Sequence, residues 1–396
     1  MNSAHFPFCF TLPRTAARKP GEYLAIAAAK GELEEVKVLC SDPEIDVNNT
    51  GGACPLILSC GHGHLDVADY LLQNPKVDPN FTEGDRATAL WLACQEGQFR
   101  IVELLMADVR IDVNKVDHDT VSPFFIACQN GRRDIVAKML ADPRIDVRKA
   151  RADGSHPLYS ACQEGRRDIV TTLLADARFE VNRKTGQGTS PFWIACQWGS
   201  LEVVDVLLDD MRVDVNSLFR GSSVLFIVVQ LGLLEVLQLL LASGREINTK
   251  LRDSTRKTAA EEARNWKFTG QVHAETPEEL TRIIQNGPGI VDLLDSFEVN
   301  RDAMRQSLRR LPNIRGFFVN RVFALVVFTT DGFLAVGDAA SPEVRRFFSI
   351  VEKFPIELQM VICHRLFGSP KNTVSSRDSE PAFLWLARKT TWTGAR

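Results

Sequence analysis

The side chains best suited to chemistry recur at a fixed interval. Cys60, Cys94, Cys128, Cys162 and Cys196 stand 34 residues apart at every step. Thiols in register could hold a metal, pair as disulfides or act as nucleophiles. A zinc site needs closely paired ligands of the CxxC or Cys/His kind, and each of these cysteines stands alone in its interval. The nine cysteines belong to a long chain that is 45% hydrophobic and has no secretory signal, so they read as reduced thiols of a cytoplasmic or nuclear protein. The seven histidines are scattered: His62 and His64 sit at one helix boundary, His364 is alone, and none lies beside an evident nucleophile. The sequence carries no P-loop, no GxGxxG after a strand, no GxSxG, no HExxH and no kinase signature. The expectation is a chain with no catalytic residues, metal or cofactor, whose cysteines are small buried packing groups.

The elements around each cysteine explain the interval. Gly63, Gly97, Gly131, Gly165 and Gly199 keep the same period, and Gly232 follows after 33 residues. A second marker lies farther along each interval: Ile45-Asp46-Val47-Asn48, Val77-Asp78-Pro79-Asn80, Ile111-Asp112-Val113-Asn114, Ile145-Asp146-Val147-Arg148, Phe179-Glu180-Val181-Asn182 and Val213-Asp214-Val215-Asn216. In the fourth interval Ser122-Pro123 starts a helix, with Ser as N-cap and Pro at the first helical position, where its missing N–H costs nothing. Gly131 stops that helix. A second runs from Asp134 to Leu140 with Ile135, Val136, Met139 and Leu140 on one face. Asp142-Pro143 closes it, and Ile145-Asp146-Val147 runs extended into a hairpin tip. Two short helices and a hairpin cannot bury a core alone, but stacked copies can.

The pattern Ser-Pro-Phe-x-x-Ala-Cys-Gln-x-Gly…Ile-Val…Leu-Leu…Ile-Asp-Val-Asn resembles the ankyrin repeat, with its Thr-Pro-Leu-His-x-Ala-x-x-x-Gly core. The resemblance implies an all-α repeat fold: a solenoid of seven clear repeats, starting near Gly21, Ala53, Ala87, Val121, Ser155, Thr189 and Ser222, and a degenerate eighth from Lys257. It also implies a protein partner, bound on the concave face and hairpin tips. The family's His position holds Ile57, Trp91, Phe125, Tyr159, Trp193 and Phe226, either a packing spine or, in part, a binding surface, with Trp193 the better anchor. The two residues before each helix-ending Gly are binding positions in the family. Their second members here are Glu96, Asn130, Glu164, Trp198 and Leu231, polar early and apolar late. The tips turn basic at Arg148, Lys149, Arg151, Arg183, Lys184 and Arg220, which would suit an acidic segment of a partner.

Three regions flank or interrupt the pattern. Residues 1–20 read as a disordered leader, although their lack of acids and the cations Arg14, Arg18 and Lys19 also fit an organelle presequence. The repeat domain is expected over 21–297, with an insertion near 269–289 that holds a short helix at Pro277–Gln285, before a second helix from Ile290. Residues 298–396 are expected to be mainly helical, beginning with a basic helix over Arg301–Leu311, and to act as a cap. From Arg301 onward, 15 Lys+Arg face 8 Asp+Glu, a net of +7, so the preceding 300 residues carry -10 of the overall -3. Neither a nucleic-acid partner nor a membrane span is expected: the apolar run Phe317–Val336 contains Arg321 and Asp331, which are costly at bilayer depth. Within the last region, the run from Phe354 through Pro355, Glu357, Leu358 and Ile362 to Leu366 resembles the first helix of an F-box, the adaptor module of cullin ubiquitin ligases. That likeness leaves open a second function, as a ubiquitin-ligase substrate receptor.

Overall fold

The computed structural model describes residues 20–48, 53–82, 84–269, 276–311 and 313–314. The leader, the run Phe317–Val336 and the F-box-like segment lie outside the described residues. The chain forms two compact units, one ending at Ala152 and one starting at Asp153.

The first unit is four helix pairs: α1 (Pro20–Lys30) with α2 (Leu33–Cys40), α3 (Pro55–His62) with α4 (Leu65–Gln73), α5 (Ala89–Glu96) with α6 (Phe99–Ala107), and α7 (Pro123–Gln129) with α8 (Arg133–Leu140). The first helices of successive pairs pack as one row, α1 on α3 on α5 on α7, and the second helices pack as another. Chemistry at the helix ends sets the pattern. The Ser122 and Thr88 hydroxyls accept from the N–H three residues on, at 3.1 Å in both cases, satisfying a donor the helix cannot satisfy itself. Gly63 and Gly97 end their helices in the left-handed region, with φ of 87° and 83°. The second helices bury only a stripe. In α4 it is Val67, Ala68, Leu71 and Leu72, the spacing of an amphipathic helix.

The second unit repeats this with α9 (Pro157–Gln163) and α10 (Arg167–Ala175), α11 (Pro191–Gln197) and α12 (Leu201–Asp209), and α13 (Val224–Gln230) and α14 (Leu234–Ala242). Ahead of α13 runs a two-stranded antiparallel hairpin, β1 (Leu218–Phe219) and β2 (Ser222–Ser223), with Leu218 opposite Ser223 and Phe219 opposite Ser222. It is the one strand pair among the described residues. The expected extended run at Ile145–Val147 is instead a chain of turns, in which the Lys149 N–H donates to the Asp146 carbonyl at 3.3 Å. The unit ends in α15 (Ala259–Thr269), α16 (Pro277–Val299) and α17 (Arg301–Leu308).

Two expectations about these last helices are corrected. A short helix at Pro277–Gln285 and a later one from Ile290 are one 23-residue helix that passes through Pro288. Proline removes a backbone donor and costs about 3 kcal/mol inside a helix. The buried face formed by Ile283, Ile290, Val291, Leu294 and Phe297 continues on both sides of it and carries the helix across. The basic helix stops at Leu308 rather than Leu311 because Leu311 precedes Pro312, which disfavours helical backbone at the residue before it. Its guanidinium groups cover the end of the stack. Arg309 Nε donates to the Ala242 carbonyl at 3.0 Å, and Arg301 and Arg305 lie over the Phe297 ring at 5.4 and 5.8 Å.

Candidate functional site

A binding site here must be whatever is left after the pairs have tied themselves together, and three recurring arrangements do much of the tying. The first is the Asn that ends the Asp-Val-Asn marker, or its Asp-Pro-Asn and Glu-Val-Asn variants. In the first unit the Asn114 amide donates to the Arg144 carbonyl at 2.7 Å and accepts from the Asp146 N–H at 2.8 Å. Asn48 and Asn80 hold the next turn in the same two-ended way. In the second unit Asn182 reaches Arg212 and Asp214, and Asn216 reaches Glu246 and Asn248. A carboxamide offers a donor and an acceptor on separate atoms of one short side chain, spaced to meet a carbonyl and an N–H of the same turn.

The second tie is an Asp-x-Arg turn. Asp142 grips Arg144 through both oxygens, and Arg144 Nη2 reaches back to the Met106 carbonyl at 2.7 Å, near the unsatisfied C-terminal end of α6. Arg110 does this to Leu72, and in the second unit Arg212 does it to Leu174. The hydrogen bonds from Arg110, Arg144 and Arg178 hold the carboxyls of Asp108, Asp142 and Asp176 below the usual carboxylate range.

The third tie follows the helix-ending glycine. His64 Nε2 donates to the Ala29 carbonyl at 2.9 Å, Gln98 to Gly61 at 3.5 Å, and Arg132 to Gln95 at 2.8 Å. These residues stand at the N-cap of the second helices, and none of them caps its own helix, because the side chain is spent on the preceding turn. φ calls for glycine at Gly97, and a Cβ there would also meet the Arg132 guanidinium at 2.9 Å and displace it from its tie.

The expected site residues separate against this background. Trp193 is 5% exposed, its ring edge lies on Phe219 at 4.8 Å, and its indole N–H has no partner among the described residues. It is a core group, which removes it as an anchor. Trp91, Phe125, Tyr159 and Phe226 are buried too, so the ladder is packing. Trp193 meets the hairpin rather than the next ladder member. Lys149 Nζ donates to the Asn114 carbonyl at 2.7 Å, and Lys184 Nζ to Leu218 at 3.1 Å, so both lysines close hairpins. Arg220 is exposed and lies over the Phe219 ring at 5.2 Å. Arg148 is exposed, whereas Arg151 and Arg183 are half-buried. In the first unit Glu96 is exposed and accepts from Gln95 Nε2, while Asn130 is half-buried and donates to the Gln95 carbonyl at 3.4 Å. In the second unit Glu164 and Leu231 are half-buried.

Trp198 stands apart, with 53% of its surface exposed at the end of α11. It forms one wall of a groove of about 590 Å³ within the second unit. Leu201, Leu233 and Leu234 line the groove beside it, and Arg282 and Asn286 of α16, Glu235 of α14 and Asn313 of the turn after α17 also line it. Leu233 occupies the position that is His64, Gln98 and Arg132 in the first unit. A leucine cannot donate to a carbonyl, so the polar tie is replaced by an apolar surface next to Trp198. That replacement was legible in the sequence and was missed. The contribution of α16 was not legible, because nothing local indicates that the Asn286 amide donates to the Gly232 carbonyl at 2.8 Å.

His156 was missed as well. Before α5, α7, α11 and α13 its position holds a Ser or Thr cap, yet the ring does the same work. Nδ1 accepts from the Tyr159 N–H at 3.4 Å, which leaves the proton on Nε2 to donate to the Arg183 carbonyl at 2.9 Å. The ring is 3% exposed, and burial pushes its pKa down to about 4. The five laddered cysteines are fully buried, and burial pushes their thiols well up, away from the reactive thiolate.

The family model for ankyrin repeats, in three copies, matches residues 24–117, 90–185 and 176–251. The chain belongs to the ankyrin-repeat family. Among solved structures it is similar to the human ASB11 ankyrin repeat domain, with a TM-score of 0.47 and 22% identity over 59% of this chain and 97% of that one. No curated protein matches it. Its fold is therefore an all-α ankyrin solenoid, and ankyrin repeats in general are protein-binding modules rather than enzymes. Among the described residues, no helix is long and apolar enough to cross a membrane.

Proposed function

We propose that this ankyrin protein is a non-catalytic adaptor whose partner docks on the second unit beside Trp198. The observation that carries this reading is the exposed indole. A tryptophan with 53% of its surface in solvent, flanked by Leu233 and Leu234 in a groove, leaves apolar area uncovered where its own chain could have placed a tie. The cations at Arg183, Lys184 and Arg220 favour a partner that also brings acidic residues to the hairpin tips, since even the tied lysine keeps its charge. Buried free thiols fit a scaffold of the cytosol or nucleus.

The test is affinity capture with the full chain and its Trp198→Ala variant, quantified by mass spectrometry and paired with thermal denaturation. The expected result is recovery of the main partner reduced at least ~10-fold, the effect of losing a hot-spot aromatic, with Tm unchanged within about 2 °C. Equal recovery from both proteins sinks the site. Recovery of a cullin-ligase adaptor would instead favour the substrate-receptor function.

A further inference from the structure

The polar groups of the Trp198 groove have a feature that an apolar anchor does not use. Three are side-chain amides, and each is half engaged. Asn286 spends its N–H on the Gly232 carbonyl, and Asn313 spends one on Gln238 Oε1 at 2.9 Å. Asn286 Oδ1, Asn313 Oδ1 and the Gln238 amide N–H have no partner among the described residues. Two free carbonyl oxygens and several free amide N–H bonds therefore line one cavity, beside the exposed indole. A ligand that satisfies them must itself donate and accept. A helix has already spent its backbone groups internally, whereas an extended chain has both kinds free at every residue. Arg282 supplies a positive charge, and Glu235, which also lines the groove, a negative one, so a peptide carboxylate is placed on the Arg282 side. Arg282 lines the groove, is half-buried, and has no ion-pair partner among the described residues.

Building on the adaptor reading above, we propose that the groove binds a peptide segment in extended conformation. The peptide lays a large apolar side chain on Trp198, meets the three amides with its backbone, and turns a carboxylate toward Arg282. This separates the groove's occupant from an amphipathic helix, which would use the tryptophan and leave the amides unmet.

The probe is a phage-displayed library of random linear dodecapeptides, panned against the full chain. Selected sequences are then synthesised and measured by fluorescence polarisation against the parent, Trp198→Ala, Arg282→Glu and Gln238→Ala, each checked for native circular dichroism. The expected peptides share one large apolar residue with an acid nearby. They weaken at least ~10-fold on Trp198→Ala and at least ~5-fold on Arg282→Glu, the scale of a hot-spot aromatic and a charge reversal. N-methylation of the peptide backbone next to the apolar residue weakens them to a similar degree, and a proline elsewhere is tolerated. Peptides that need helix, and ignore both N-methylation and Gln238→Ala, overturn the extended mode while leaving the Trp198 site standing. Peptides indifferent to Trp198→Ala, or no enrichment at all, overturn both. Selected sequences that match residues beyond 314 make the occupant this chain itself, and overturn the separate partner.

Discussion

At the scale of single residues, His156 shows how one substitution in a repeated position changes chemistry without changing shape. A serine cap is indifferent to pH, but a buried imidazole is not. Its folded pKa of about 4 lies below the ordinary value of 6.5, so the unfolded chain binds the proton more readily. The neutral ring's stabilisation is complete above pH 6.5 and is lost progressively as pH falls toward 4. Between pH 7 and pH 5 the parent should lose about 2 kcal/mol relative to His156→Ser, read from urea denaturation at the two pH values. Equal losses in both proteins would mean that the ring is solvated. Gly97 makes a second point. Gly97→Ala must pay for a left-handed φ and for a Cβ 2.9 Å from Arg132, whereas Gly188→Ala, at φ 96° with nothing within 4 Å, pays only for the backbone. The first should destabilise by about 1–2 kcal/mol more than the second in chemical denaturation. Similar values would show that Arg132 swings clear. The glycine ladder could be read from the sequence as helix stops. Its second role could not, because the atom it avoids belongs to a residue 35 positions away.

At the scale of elements, an apolar core packs the pairs, and side chains that reach across tie their turns together where the described residues form only one strand pair. Asn216→Ala removes a bond to Glu246 and one from Asn248, leaving both backbone groups to water. The expected cost is about 1–3 kcal/mol, and amide exchange should rise first at Asn248. If protection at Asn248 is unchanged, the amide is not the hairpin's support. In α16 the direction reverses. Pro288→Ala restores a helical donor on a residue that is already exposed, so Tm should rise by several degrees. A fall would assign the proline a role that the helix alone does not explain. The periodic helices were readable because caps and apolar stripes are local. The continuity of α16 was not, because it depends on packing against α14, α15 and α17 rather than on its own Gly-Pro-Gly run, which reads as a break.

At the scale of the whole molecule, the regular spacing of the thiols becomes a measurable property. Cys60, Cys94, Cys128, Cys162 and Cys196 are sealed, whereas Cys40 is half-buried. Native alkylation followed by peptide mass spectrometry should modify Cys40 and spare the five, all of which react once the chain is unfolded in urea. Modification of any of the five in the native protein would show that its pair opens. Acid should act broadly too. The depressed carboxyls of Asp108, Asp142 and Asp176 stabilise the fold above the ordinary carboxylate range and stop doing so as pH falls through their lowered values. The family and its mode of stacking were visible in the sequence from two ladders in phase. The groove was only half visible: Trp198 and Leu233 signal themselves by departing from their series, but Arg282 and Asn286 arrive from α16 and Asn313 from the turn after α17, with no register to reveal them.

The ties between pairs share one property. The reaching group is a side chain, and what it grasps is backbone: a carbonyl or an N–H of the adjacent turn. Every polypeptide presents those groups, whatever its residues. Each turn therefore carries its own fastener and makes almost no demand on its neighbour's identity. If residues 88–121 were excised in frame, Asn80 would meet the carbonyl of Arg144 in place of that of Arg110, an identical atom at the equivalent place. Such a chain can lengthen, shorten or shuffle its cassettes over generations without rewriting the junctions, and selection is left free to alter the surface that a partner sees.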